Sequence, residues 1–132
     1  MGKYITEFIG TFFLVLTITL CVITEQPMAP LAIGGTLAVM VFMGGHISGG
    51  HYNPAVSVAA FLRGALPAKE IFPYIIFQTL GACAGAVIGN FITGGSVPLA
   101  PNPDFPLMSS ILIEFFFTFA LALTVLNVAT AK

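Results

Sequence analysis

The chain has 132 residues, 58% of them hydrophobic and 7% charged, with a formal net charge of −1. A typical soluble domain is about 25% charged, so four Lys/Arg and five Asp/Glu cannot cover a water-soluble fold of this size, and the near-neutral balance leaves no basic face for a phosphate backbone. A soluble enzyme, a nucleic-acid partner and a disordered tail are excluded; a membrane protein remains, with room for about four spans of roughly 20 apolar residues each.

The first predicted span covers residues 4–24. Lys3 followed by an apolar run over 8–23 has the outline of a signal peptide. The run is long for one, Glu7 stands at its start and no small-x-small cleavage site follows, so it reads as a retained span. The match of Met1-Gly2 and Thr6 to a myristoylation pattern is short and is read as chance. Glu25-Gln26-Pro27 breaks the helix, because Pro cannot continue it. A second span is predicted over 28–43, running into Gly44-Gly45-His46-Ile47-Ser48-Gly49-Gly50-His51-Tyr52-Asn53-Pro54-Ala55. An apolar stretch over 56–62 is closed by Arg63-Gly64, and a third span is predicted over 71–93. The loop 94–106 carries Pro98, Pro101, Asn102, Pro103 and Pro106, all helix-breaking, and a fourth span is predicted over 107–130. Cys21 and Cys83 fall inside apolar runs and read as packing residues. Without clustered His they make no metal site, and nothing in the chain implies a cofactor.

Lys3, Arg63, Lys69 and Lys132 are all the Lys and Arg present. With the N-terminus inside, all four fall on the inner side, while the two outer loops hold only Glu25 and Asp104. This asymmetry predicts a multi-pass protein of the cell membrane with a cytoplasmic N-terminus. The stretch 56–62 is then apolar, too short to span, and flanked on both sides by inner segments. A re-entrant half-helix fits that pattern. Irregular backbone at membrane depth survives only when buried in protein or lining a wet cavity, so 44–53 is expected to line one. The alternative is an amphipathic loop lying on the cytoplasmic surface.

Residues 4–20 align with 111–127 at an offset of 107. Glu7, Phe8, Thr11, Phe12, Leu14, Leu16 and Thr17 meet Glu114, Phe115, Thr118, Phe119, Leu121, Leu123 and Thr124. The first copy enters from inside and the second from outside, so the repeats are inverted, as in many transport proteins. The expected division is residues 1–106 as one repeat of three spans plus a half-helix, and 107–132 as the first span of a second, incomplete repeat. No second Asn-Pro-Ala occurs.

The loop Gly45-His46-Ile47-Ser48-Gly49-Gly50-His51-Tyr52-Asn53-Pro54-Ala55-Val56 resembles the first signature loop of the aquaporin and glycerol-facilitator family. Glu7-Phe8-Ile9-Gly10-Thr11-Phe12 resembles its first helix and Pro73-Tyr74-Ile75-Ile76-Phe77-Gln78 its third. The resemblance covers essentially the whole chain. It implies an all-α membrane fold, an inverted-repeat helical bundle of which about four transmembrane helices and one re-entrant half-helix are present here. Complete members have six spans and two half-helices, so the chain reads as truncated, and a full-length form is expected to be a homotetramer.

The resemblance implies a passive, proton-excluding channel for water or small neutral solutes in a lipid bilayer. Pro54 suits the first helical turn, where its missing N–H is no loss, and the positive end of the half-helix dipole sits near mid-membrane. Asn53 can cap that helix through its side-chain oxygen while its NH₂ donates to a passing oxygen; the plainer reading is a cap only. With Pro54 and Ala55 it forms the pore-facing motif. The carbonyls of Gly49, Gly50, His51 and Tyr52 are the implied acceptor ladder, the plainer reading of the glycines being steric freedom at a tight turn.

Intramembrane Glu7 and Glu114 need partners, either as a proton relay or as anchors for re-entrant loops. The resemblance favours anchors, with Glu114 at the His51 loop and Glu7 serving a second loop. His46 and His51 read as loop-fixing residues, with pH sensing the alternative. Gln78 is expected to bond the same loop and Arg63 to snorkel to the inner interface. Gly81, Gly85 and Gly89, four apart, suit close helix contact, and Gly34 and Gly35 are expected to do the same. Ile33, twenty residues before Asn53, is the implied selectivity-constriction residue; its aliphatic side chain leaves water against glycerol open. The rival is a non-conducting half-channel that assembles with a complementary half. No catalytic set or phosphate loop supports an enzyme.

Overall fold

The computed structural model describes residues 2–95 and 104–129. Lys132 and the turn residues Pro98, Pro101, Asn102 and Pro103 lie outside the described residues. Within them the fold is all-helical: α1 (Gly2–Ile23), α2 (Ala29–Ser48), α3 (Pro54–Leu62), α4 (Ala68–Thr93) and α5 (Leu107–Ala129). The four longer helices have the length and composition to cross a membrane. At 1.5 Å per residue, α3 extends only about 14 Å, half of a bilayer core.

Two helix ends differ from the sequence expectation. α2 continues five residues past 43, because Gly44 and Gly45 are tolerated inside it and the stop comes at Gly49, whose φ of +92° caps the helix with its N–H on the Gly45 carbonyl. A glycine inside a helix costs up to about 1 kcal/mol relative to Ala, but a Cβ at Gly44 would strike Thr6 of α1 and the Tyr52 hydroxyl. The close approach accounts for the glycine. α4 starts at Ala68 rather than 71, since Ala68, Lys69 and Glu70 are good helix formers even though they carry no apolar signal.

α1 lies between α4 and α2. Cβ atoms built on Gly81 and Gly85 would meet the α1 backbone at Phe8 and Phe12, and one on Gly89 would meet Thr19. These contacts advance together along both helices, so α1 and α4 run parallel at close range, as the four-residue glycine spacing predicts. Gly34 and Gly35 differ: they have open space around them. α2 runs antiparallel to α1, with Thr17 Oγ1 3.1 Å from Thr36 Oγ1 and Gly44 against Thr6.

The starts of α1 and α4 are clasped. Lys3 Nζ lies 2.8 Å from Glu70 Oε2, and the Tyr4 hydroxyl donates to the same oxygen at 2.6 Å. The chain returns to this end after α3, through a turn at Gly64, where φ is +79°, and through bonds from Ala65 and Leu66 N–H to the Ala60 carbonyl. Ala60, Leu66 and Tyr74 form a small core beneath it, ringed by Tyr4, Phe61, Ile71 and Leu126. α3 therefore enters and leaves on one side, as a re-entrant half-helix does. Among the described residues α5 packs mainly on α3, with Leu126 against the small core, and contributes no buried residue.

Candidate functional site

The site is the five-residue link 49–53 between α2 and α3, together with the groups that hold it. Asn53 is the N-cap of α3, in extended conformation, and its Oδ1 accepts the Ala55 N–H at 2.7 Å. Pro54 follows in the first turn, where no N–H is needed. Its oxygen engaged, Asn53 makes no protein hydrogen bond through its NH₂ among the described residues.

A single carboxylate anchors the link. Glu7, fully buried in α1, accepts from Ser48 Oγ at 2.6 Å and from the His51 N–H at 3.0 Å on Oε1. On Oε2 it accepts from the Tyr52 N–H at 2.7 Å and from Gln78 Nε2 at 2.8 Å. A carboxylate offers about four lone-pair positions, and all are filled. The Gly50 N–H is held by Ser48 Oγ at 3.2 Å. The link's donors thus point to one side. No protein donor reaches the carbonyl oxygens of Gly49, Gly50, His51 or Tyr52 among the described residues.

Side chains complete the clamp. Tyr52 takes a left-handed φ of +48°, a conformation that costs a non-glycine residue roughly 1–2 kcal/mol. Its ring is 2% exposed, packs on the bare backbone of Gly10, and its hydroxyl donates to the Met40 carbonyl at 2.8 Å. The Tyr74 hydroxyl donates to the Ser48 carbonyl at 2.7 Å, satisfying one of the free carbonyls at the end of α2. His51 Nδ1 is 3.1 Å from Ser57 Oγ, and Ser57 also receives Gln78 Nε2 at 2.9 Å. A cavity of about 320 Å³ opens beside the link, with Gly49, His51, Lys3, Glu70 and Tyr74 in its wall.

Glu7, Gly49, Gly50, His51, Tyr52, Asn53, Pro54, Ala55 and Gln78 are therefore brought together. Three expectations are corrected or left apart. Glu7, not Glu114, anchors the His51 link: the sixth residue of α1 faces the end of α2, whereas Glu114 is exposed on α5. His46 does not fix the link, because α2 is still helical there and turns its side chain to the exposed face. Ile33 sits half-buried near the opposite end of α2, about 22 Å of helix before Ser48. Sequence reading missed Gly10, Ser48, Ser57 and Tyr74. The signal for Gly10 was its position three residues after Glu7, on the same helix face. For the serines it was a lone hydroxyl at each end of the link within apolar sequence.

The sequence matches the Major intrinsic protein family over residues 1–132, and the chain belongs to that family. It is 37% identical to a glycerol uptake facilitator protein-like 6 of Lactiplantibacillus plantarum, over 98% of this chain and 64% of that protein. It is 35% identical to an aquaporin Z of Brucella melitensis, over 89% of this chain and 61% of the relative. It is 31% identical to aquaporin NIP1-1 of Arabidopsis thaliana, over 98% and 50%. The chain thus spans 50% to 64% of the length of these relatives. The family is one of membrane channels, not of enzymes.

Proposed function

We propose that the chain supplies the cytoplasmic half of a passive, proton-excluding channel for water or small neutral solutes. The observation that carries this reading is the one-sided link: Glu7 and Ser48 take the N–H groups of Gly50, His51 and Tyr52, which leaves the carbonyls of 49–52 for a permeating molecule. Fixed carbonyls replace hydration with little reorganisation. At the end of the row Asn53 offers its NH₂ to the solute oxygen, and the positive end of α3 repels cations. A water held by a donor on its oxygen is a poor acceptor for the next proton in a wire. Pro54 and Ala55, exposed in the first turn of α3, form part of the same wall.

Residues 1–106 act as one repeat in this proposal and 107–132 open a second. The unburied surface of α5, Glu114 included, supports packing of a complementary half there. The protein is a multi-pass cell-membrane protein with its N-terminus in the cytoplasm, and the full-length form is a homotetramer. Ile33 contributes an aliphatic wall to the outer constriction, which suits a less strictly water-shaped filter.

Stopped-flow shrinkage of proteoliposomes tests the reading, with residues 1–132 completed by the C-terminal remainder of the Lactiplantibacillus plantarum relative. Osmotic permeability well above that of protein-free liposomes, without proton leakage, is expected. Asn53→Asp is expected to lower permeability or admit cations. Absence of flux removes the channel reading, and an Asn53→Asp variant that behaves as wild type removes the role of Asn53.

A further inference from the structure

The bonds behind the link have a direction. A carboxylate only accepts, so the Gln78 amide must present Nε2 to Glu7 Oε2, 2.8 Å away. It does so although Oε1 is left buried with no partner among the described residues, an arrangement that by itself is unfavourable. The same Nε2 lies 2.9 Å from Ser57 Oγ, so its second hydrogen occupies a lone pair of Ser57. The single Ser57 proton must then go elsewhere. Two groups in range can take it: the Asn53 carbonyl at 3.3 Å and, when that ring nitrogen carries no proton, His51 Nδ1 at 3.1 Å. The carbonyl already receives the Ser57 N–H at 3.1 Å. The shorter bond, to the acceptor without another donor, is the one to Nδ1.

We propose that Ser57 is a positioning residue that fixes His51 as the Nε2–H tautomer, so that the ring adds one hydrogen-bond donor beside the carbonyl acceptors of 49–52. With Nδ1 accepting from Ser57, the neutral imidazole carries its proton on the opposite edge. That edge lies over Gly49, where a Cβ would come within 3.0 Å of Nε2, and Gly49 and His51 share the cavity wall. The ring is further held against Tyr74, with centroids 5.2 Å apart. The order of donation is thus Gln78 to Glu7 and to Ser57, then Ser57 to His51, then His51 to the cavity. The functional consequence, a donor that turns the oxygen of a permeating molecule toward His51, rests on the channel reading; the tautomer does not.

The test is ¹⁵N solid-state NMR of the chain in lipid bilayers, at a pH about two units above the ordinary histidine value so that the ring is neutral. A His46→Gln background leaves His51 as the sole histidine. The expected spectrum has a protonated Nε2 and an unprotonated Nδ1. Ser57→Ala is expected to lose the single tautomer and show both, and Ser57→Thr, which keeps the hydroxyl, is expected to restore it. A protonated Nδ1 in the Ser57 chain overturns the proposal, even if the variants fail to fold. So does a Ser57→Ala spectrum unchanged from its parent. The completed channel separates the two readings. An Nε2–H tautomer without flux refutes the channel alone, and flux with Nδ1–H refutes the Ser57 role alone.

Discussion

Replacing Glu7 by Gln keeps the side-chain shape and halves its acceptor capacity. One oxygen then serves donors that now occupy two, and the new NH₂ faces another donor. Hydrogen bonds to charged groups contribute about 1.5–3 kcal/mol each, and a stranded buried donor costs a comparable amount. Glu7→Gln is therefore expected to destabilise the chain by roughly 2–4 kcal/mol, read as a lower thermal unfolding midpoint in detergent. Glu114→Gln in residues 1–132 is expected to leave that midpoint within experimental error, since the exposed Glu114 anchors nothing among the described residues. Gly10→Ala is expected to be harmful for a steric reason. Its methyl would enter the Tyr52 ring, and overpacking of that kind costs about 1–3 kcal/mol. The internal repeat made Glu7 and Glu114 interchangeable on paper; only the placement of α1 beside the end of α2 tells them apart. His46 was misread for a related reason. Five extra residues of helix rotate it away from Ser48, because positions two apart on a helix do not face the same way.

At the level of helices, the spacing of Gly81, Gly85 and Gly89 was legible because a period near four places residues on one face. What it could not name was the partner, which is α1 rather than α2. Gly85→Leu is expected to force α1 and α4 apart, since its side chain would meet the Phe12 carbonyl. In trypsin digestion of detergent-solubilised chain, the variant should be cut in the α3–α4 turn under conditions that leave the parent intact. The half-helix itself was read from two features, an apolar stretch too short to span and flanking segments that the Lys/Arg asymmetry puts on the same side. The end of α2 was misplaced because two adjacent glycines usually signal a break. Here the break needs a left-handed residue, which is Gly49, while Gly44 serves a close contact.

The orientation of the whole molecule rests on very few charges, so it has a direct test. With Cys21 and Cys83 removed, a cysteine at Gly64, in the turn after α3, is expected to react with impermeant maleimide only from the cytoplasmic side. One at Gln26, in the α1–α2 turn, is expected to react only from the outside. Labelling of both from one side would defeat the inner placement of Lys3, Arg63 and Lys69. The large apolar residues left uncovered on α2 and α5, among them Phe42, Phe115, Phe116 and Phe117, follow from the same architecture. Lipid or another helix must cover them, and sequence alone could give their hydrophobicity but not which of them stay unpacked.

The anchor also sets a timetable for biogenesis. Every donor to the Glu7 carboxylate is synthesised long after it: Ser48 comes 41 residues later, the His51 and Tyr52 amides 44 and 45, and Gln78 71. A nascent first helix released into lipid on its own would carry an acidic group with nothing to hold. It is expected to linger at the insertion machinery, or stay shallow, until most of α4 has been translated. Ribosome-stalled chains ending near residue 60 should then resist handover to the bilayer, and those extended well beyond residue 93 should not.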